Sequence, residues 1–186
     1  YMDFERFRVY NYQGGAEISR YVAATVGKQL QALEKRLDFQ LDEKINVLVY
    51  NNQVDFKQSN LGLSVDEQNN IGGVTRIIGD KVSIYFNGSH ADLDRQIRAV
   101  FAELLINKIL YGGSAREMFR NSTFLNLPIW YTEGLVRFMS EGWTTQHDNM
   151  LYDQFKNDNF SRFNRLTGEQ AALAGHALWY YIVSSY

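Results

Sequence analysis

An α+β fold is predicted for this chain of 186 residues, and three observations predict it. Short β-branched runs and a Gly-Asp hairpin signal fall only in the first half. From position 92 onward apolar residues recur at helical spacing, with no further strand pattern. Hydrophobic residues make up 45% and charged residues 22%, an ordinary globular balance in a chain long enough to bury a sizeable core. The order is strand, helix, strand, hairpin, then helices alone, which gives a small sheet followed by a helical second half.

Residues 4–10 alternate imperfectly between apolar and charged side chains, so they predict a strand, which Gly14-Gly15 ends. Ile18, Val22, Val26, Leu30, Leu33 and Leu37 recur at steps of three and four and predict a helix over Ala16–Leu37. Ile45–Tyr50 is a β-branched run and reads as a strand, while residues 51–60 read as a short helix or loop. Residues 71–78 and 81–86 flank Gly79-Asp80, a hairpin signal. Ser89-His90-Ala91-Asp92 resembles a capping box with Asp in place of Glu or Gln, so a helix is expected over 92–111, stopped by Gly112-Gly113. Leu127-Pro128 opens a helix that runs to Ser140, because proline suits a first turn. Residues 144–156 and 169–186 are also expected to be helical. The whole of 1–186 reads as one domain, with a sheet-containing half over 1–111 and a helical half over 112–186.

Composition excludes several functions. With 19 basic and 21 acidic residues the net charge is -2, and no Lys/Arg cluster appears, so nucleic acid is not an expected partner. The absence of cysteine removes disulfides, thiolate metal sites and cysteine nucleophiles. No apolar run reaches about 18 residues, so no transmembrane segment is expected, and no signal-peptide pattern is present. The sequence opens mid-stream and stops inside an apolar helical pattern, which reads as a piece of something longer. Aromatics reach 15%, which fits a ring-rich core or an interface.

Two helical segments carry the chemistry. The earlier one reads Val100-Phe101-Ala102-Glu103-Leu104-Leu105-Ile106-Asn107, and the later one reads Leu127-Pro128-Ile129-Trp130-Tyr131-Thr132-Glu133-Gly134-Leu135-Val136. The later segment resembles the glutamate helix of gluzincin metallopeptidases of the peptidase-MA-like group, in which Leu-Pro, an aromatic and Glu-Gly-Leu supply the third zinc ligand. The resemblance implies a zincin-like domain with a small mixed sheet, an active-site-type helix and a helical second half, and it places Glu133 at the ligand position. Such peptidases carry His-Glu-x-x-His on the earlier helix, where histidines at i and i+4 share one face and hold zinc while the Glu polarises its water. Aligned on that Glu, Glu103 takes the general-base position and the two histidine positions hold Ala102 and Ile106.

Neither a methyl nor a sec-butyl group donates a lone pair, so the resemblance implies a lost zinc site and a catalytically dead homologue. No cofactor is expected, and zinc in particular is not. The plainer readings stand beside this one. Glu103 shares a stripe with Asp92, Gln96, Ala99 and Asn107, which is the pattern of a solvated helix face, and Glu133 reads equally as a surface glutamate. His90, His147 and His176 show no mutual ligand spacing, and a relocated metal site built from them with Glu103 is the remaining metal alternative.

The expected function is a non-catalytic pseudo-metallopeptidase domain that binds a protein or extended peptide, or serves as a structural module. An extended segment is expected to add to an edge strand formed by Val82, Ser83, Ile84, Tyr85 and Phe86, with Trp130 and Tyr131 lining the groove. From the resemblance alone, the setting is an exported bacterial protein of the periplasm or cell envelope, with the domain ahead of a β-propeller and docked to the following domain. The alternative is an active metal-dependent peptidase with an unrecognised ligand set.

Overall fold

Two short apolar strands joined by a long helix must run parallel, because a helix that packs back on the sheet returns the chain to the same end. The computed structural model shows this arrangement, and it describes residues 1–12, 14–58, 69–70, 73–74, 76–112, 127–157, 160 and 162–185. Strand β1 is Met2–Asp3, β2 is Phe7–Asn11, helix α1 is Ala16–Leu37, and β3 is Ile45–Tyr50. Helix α2 (Gln53–Gln58) follows, then β4 (Asn69–Asn70), β5 (Gly73–Val74), β6 (Arg76–Ile78), β7 (Lys81–Tyr85) and α3 (His90–Tyr111). Helices α4 (Ile129–Ser140), α5 (Thr145–Lys156) and α6 (Gly168–Ser185) complete the described elements, with a 3₁₀ turn at Phe163–Arg165. The chain is therefore a mixed α+β protein. It divides into two units, Tyr1–Ile109 and Leu110–Tyr186, each treated by itself. No helix among the described residues is long and apolar enough to cross a membrane.

In the first unit the sheet order is β1-β2-β3-β7-β6. Strands β2, β3 and β7 are mutually parallel, with Phe7 opposite Ile45 and Val47 opposite Val82. Strands β1 and β6 run antiparallel at the two ends. The expected strand over residues 4–10 is interrupted. The Phe4 N–H donates to the Phe7 carbonyl at 2.9 Å, so the chain reverses and Met2–Asp3 pairs back onto Arg8 and Val9. The Asp3 carboxylate meets both Lys44 and Arg8, which lower its pKa, the Lys44 hydrogen bond most strongly. The hairpin forms at Gly79-Asp80, where Gly79 adopts a φ of +60°, as the first central position of a II′ turn requires. Asn46 ties this turn to β3 through two bonds to Asp80.

Helix α1 buries Val22, Val26, Leu30 and Leu33, the centre of the predicted stripe. It ends where Asp38 turns left-handed, with φ of 48°. One turn earlier, the buried Glu34 carboxylate receives two bonds from Arg6 and one from the Leu41 N–H, so the helix end is fastened to the start of β2. Helix α3 begins two residues before the expected start. Ser89 caps it by accepting the Asp92 N–H at 3.2 Å, but Asp92 turns to Asn87 and Arg95 instead of reaching back, so only half a capping box forms. The stripe that reads as solvated is so only in part: Asp92, Glu103 and Asn107 are half-buried, whereas Gln96 and Ala99 are fully buried and the Gln96 side chain accepts the Tyr85 N–H.

In the second unit α4 and α6 touch through two glycines. A Cβ on Gly134 would lie 2.3 Å from the Gly175 Cα, and one on Gly175 would lie 1.8 Å from the Trp130 carbonyl oxygen. Both obstacles are backbone and cannot swing aside. Alanine gains roughly 1 kcal/mol over glycine in helix propensity. That gain is smaller than the ~1–3 kcal/mol or more of overpacking a rigid contact. Gly175→Ala and Gly134→Ala are therefore expected to lower the stability of the second unit by about 2 kcal/mol or more in denaturant unfolding. Unchanged midpoints would mean that the helices are not in backbone contact.

Candidate functional site

The positions that the resemblance singled out are set by α3 and α4. On α3, Ala102 is 0% and Ile106 2% exposed, in a helix whose central turns are buried nearly all round, and Glu103 is half-buried between them. Both positions matched to histidine ligands are thus core positions. On α4, Glu133 is exposed. Its carboxyl titrates above the ordinary range, through desolvation first and the nearby Glu169 charge second. Glu103 lies in the first unit and Glu133 in the second.

The proposed strand-addition edge is corrected by the sheet order. Lys81–Tyr85 is an interior strand, paired with β3 on one side and β6 on the other, and Val82, Ser83, Ile84 and Tyr85 are all buried. An extended peptide finds no free backbone beside Val82 or Ser83, because β6 already occupies that flank. The hairpin signal supplied one neighbour for this strand, but pairing with β3 on its other flank is a long-range contact that a short run cannot reveal. Tyr85 packs with Tyr50 and Phe56 in the core, and the Phe86 N–H donates to the Tyr50 carbonyl. Trp130 packs on Leu166, Ala171 and Ala174, with its indole N–H donated to Asn164 at 3.0 Å. Tyr131 packs against Trp179 at 5.0 Å.

A different group of ionisable side chains comes together in the second unit. Glu141 follows the last residue of α4, His147 is the third residue of α5, and His176 lies on the buried stretch of α6. One ligand atom from each lies within 4.8 Å of the other two. His147 Nε2 is 3.3 Å from Glu141 Oε1, and the two imidazole rings are 5.1 Å apart. Glu141 also receives the Arg137 Nε at 2.5 Å, and the same guanidinium bridges to Glu169. Burial opposes the charge of Arg137, but its bonds to Glu169 and Glu141 outweigh burial and hold it ionised.

His147 has a second task. Its Nδ1 accepts the Thr144 N–H at 3.0 Å, so it fills the place that Glu or Gln takes in a capping box. His176 is 0% exposed, and neither of its ring nitrogens has a hydrogen-bond partner among the described residues. Trp143 encloses both rings, with centroids 5.1 Å from His147 and 5.0 Å from His176. His90, the third histidine, is separate: it packs against Tyr21 and Phe86 in the first unit. A relocated site would therefore use Glu141 and not Glu103 or His90. The sequence signal for Glu141 is faint, because its two partners come from separate helices and only the fold joins them.

The His176 ring has its pKa pushed down to about 4, by burial first and then by the His147 and Arg137 charges, against the pull of Glu141. An unfolded histidine titrates near 6.5, so the unfolded chain takes up a proton that the folded ring refuses. Stability from this group is complete above about pH 6.5 and is lost as pH falls toward about 4, by an amount on the order of 3 kcal/mol. His176→Leu, compared with the unmodified protein by denaturant unfolding in metal-free buffer, is expected to lose less stability across that window. Parallel stability curves for the two proteins would contradict the assignment.

No family model, curated protein or solved structure matches this chain.

Proposed function

We propose that this chain is a non-catalytic relative of the gluzincin metallopeptidases, a zincin-like domain that serves as a protein-binding or structural module of a larger exported bacterial protein. The observation that carries the non-catalytic part is the burial of Ala102 and Ile106, at 0% and 2% exposure, where a peptidase needs two imidazoles. Three protein ligands and a water make a catalytic zinc site, and Glu133 alone supplies one. Without a metal to lower the pKa of water, Glu103 as an unaided base leaves peptide hydrolysis close to its uncatalysed rate.

The binding part is supported by the end of α6. Tyr180, Tyr181, Ile182 and Val183 are exposed in succession, with Tyr181 at 61% and Val183 at 58%. Four consecutive exposed apolar residues cover every side of a helical turn. Contiguous apolar surface of this kind marks a contact face more often than an accident of composition. Tyr and Trp suit such faces because they bury large area at low entropic cost. A neighbouring domain that caps this helix end would bury them. A peptide that added to the sheet would have to use its outermost strand, β6, in place of β7.

Two measurements test the reading. The purified protein with added zinc should leave an unstructured protein substrate uncut at background rate, and hydrolysis that Glu103→Gln abolishes would overturn the non-catalytic assignment. Restoring a histidine at Ala102 should do harm instead of good. Ala102→His places an imidazole where there is no room and is expected to destabilise the first unit by about 1–3 kcal/mol. A variant of unchanged stability that gains zinc affinity would show that this helix face borders an open cleft.

A further inference from the structure

We propose that Glu141, His147 and His176 form a binding site for a single transition-metal dication, with zinc as the best match, which locks α4, α5 and α6 together. This departs from the expectation of a metal-free chain, and it does not depend on the gluzincin reading, whose ligand positions lie elsewhere.

The donor set argues for the class of ion. Two imidazoles and one carboxylate suit zinc and its borderline neighbours cobalt, nickel and copper, whereas calcium and magnesium require oxygen ligands. The geometry argues for a real site. Tetrahedral zinc, with bonds of about 2.0–2.1 Å, holds its ligand atoms roughly 3.3 Å apart. Glu141 Oε1 and His147 Nε2 already stand at 3.3 Å, and the His176 ligand atom has to move in from a separation of no more than 4.8 Å. His176 is the observation that asks for an occupant. A neutral imidazole carries one donor and one acceptor, and here both are buried with no partner among the described residues. Leaving a buried polar group unmet costs about 1–3 kcal/mol. An ion would use a lone pair that no other described residue uses.

The surroundings fit a cation despite Arg137. Glu141 and Glu169 together carry two negative charges against the single guanidinium they share, so the cluster is net negative before any ion enters. Arg137 also fixes the Glu141 carboxylate in place, as hydrogen-bonded outer groups do for metal ligands. His147 needs one rearrangement. In the cap its Nδ1 accepts a proton donor, so the neutral ring carries its hydrogen on Nε2, facing Glu141. To bind metal, Nε2 releases that proton and Nδ1 takes one up, with no net change. The new Nδ1–H then donates to Thr144 Oγ1, which already lies 3.0 Å away, and the capping bond from the Thr144 N–H is given up.

Trp143 provides the readout, since its indole stands against both imidazoles. Chelator-stripped protein is titrated with cobalt(II), followed by tryptophan fluorescence and visible absorption, and then challenged with zinc. The expected result is quenching that saturates at one ion per chain, a visible band of tetrahedral cobalt, and displacement of both signals by zinc. Trp143→Phe should remove most of the quenching and keep the band. His147→Gln preserves the capping-box chemistry, and His176→Leu replaces a buried ring by an apolar group of similar size, so both should fold. Each should weaken cobalt binding by more than the roughly 10–100-fold typical of losing an outer-shell partner. Zinc should also raise the unfolding temperature of the unmodified protein and not of either variant. No saturable binding, or binding that survives in both folded variants, overturns the proposal.

Discussion

Helix α6 can lie against α4 only because neither Gly134 nor Gly175 has a side chain at the crossing, and most of the second unit follows from that contact. Close approach at this point sets α6 beside Trp130, which then packs on Leu166, Ala171 and Ala174. It also buries the residue after Gly175. His176 is fully buried beside Phe138 and Trp143, with its ring 5.1 Å from that of His147 and a ligand atom within 4.8 Å of Glu141 and His147. The same contact gives the Glu133-Gly134-Leu135 string a packing reason that owes nothing to metal binding. A glycine one residue after Glu133 is required wherever another helix backbone must come this near.

The first unit depends on a different device. The ends of its three parallel strands are set by a small number of part-buried ionic and amide contacts. Glu34 joins the end of α1 to Arg6 and Leu41, Asn46 joins β3 to the turn at Asp80, and Lys108 near the end of α3 pairs with Glu43. Such pairs add little net energy relative to apolar packing, but they penalise any register in which a partner is missing. That penalty suits a sheet whose Val and Ile side chains would accept several registers.

The helices were legible because their signals are local. The apolar stripe and the end of α1 at Leu37, the end of α3 at Tyr111 and the end of α4 at Ser140 all fall where the sequence pattern places them. Strands were less legible. Residues 4–6 turn instead of extending, because Asp3 finds Arg8 and Lys44 when the chain doubles back. The interior place of β7 could not be read from alternation in Val82 to Tyr85, since the hairpin signal gives only β6 as a neighbour and the parallel pairing with β3 is set by the fold. The stripe through Gln96 and Ala99 looked solvated because polarity was read without knowing that α3 is enclosed. His147 and His176 carried no ligand spacing because their meeting is a consequence of the Gly134–Gly175 crossing, and no single helix encodes it.

The central claim is that the α3 positions matched to metal ligands are packed core, and that metal chemistry in this chain belongs to the Glu141, His147 and His176 group. Crystals of the protein grown with zinc, with anomalous diffraction recorded on both sides of the zinc absorption edge, test it most directly. The account predicts one strong peak between Glu141, His147 and His176, with Ala102 and Ile106 enclosed by side chains. A peak beside Glu133 or Glu103, with the histidine pair bridged by water alone, would contradict it.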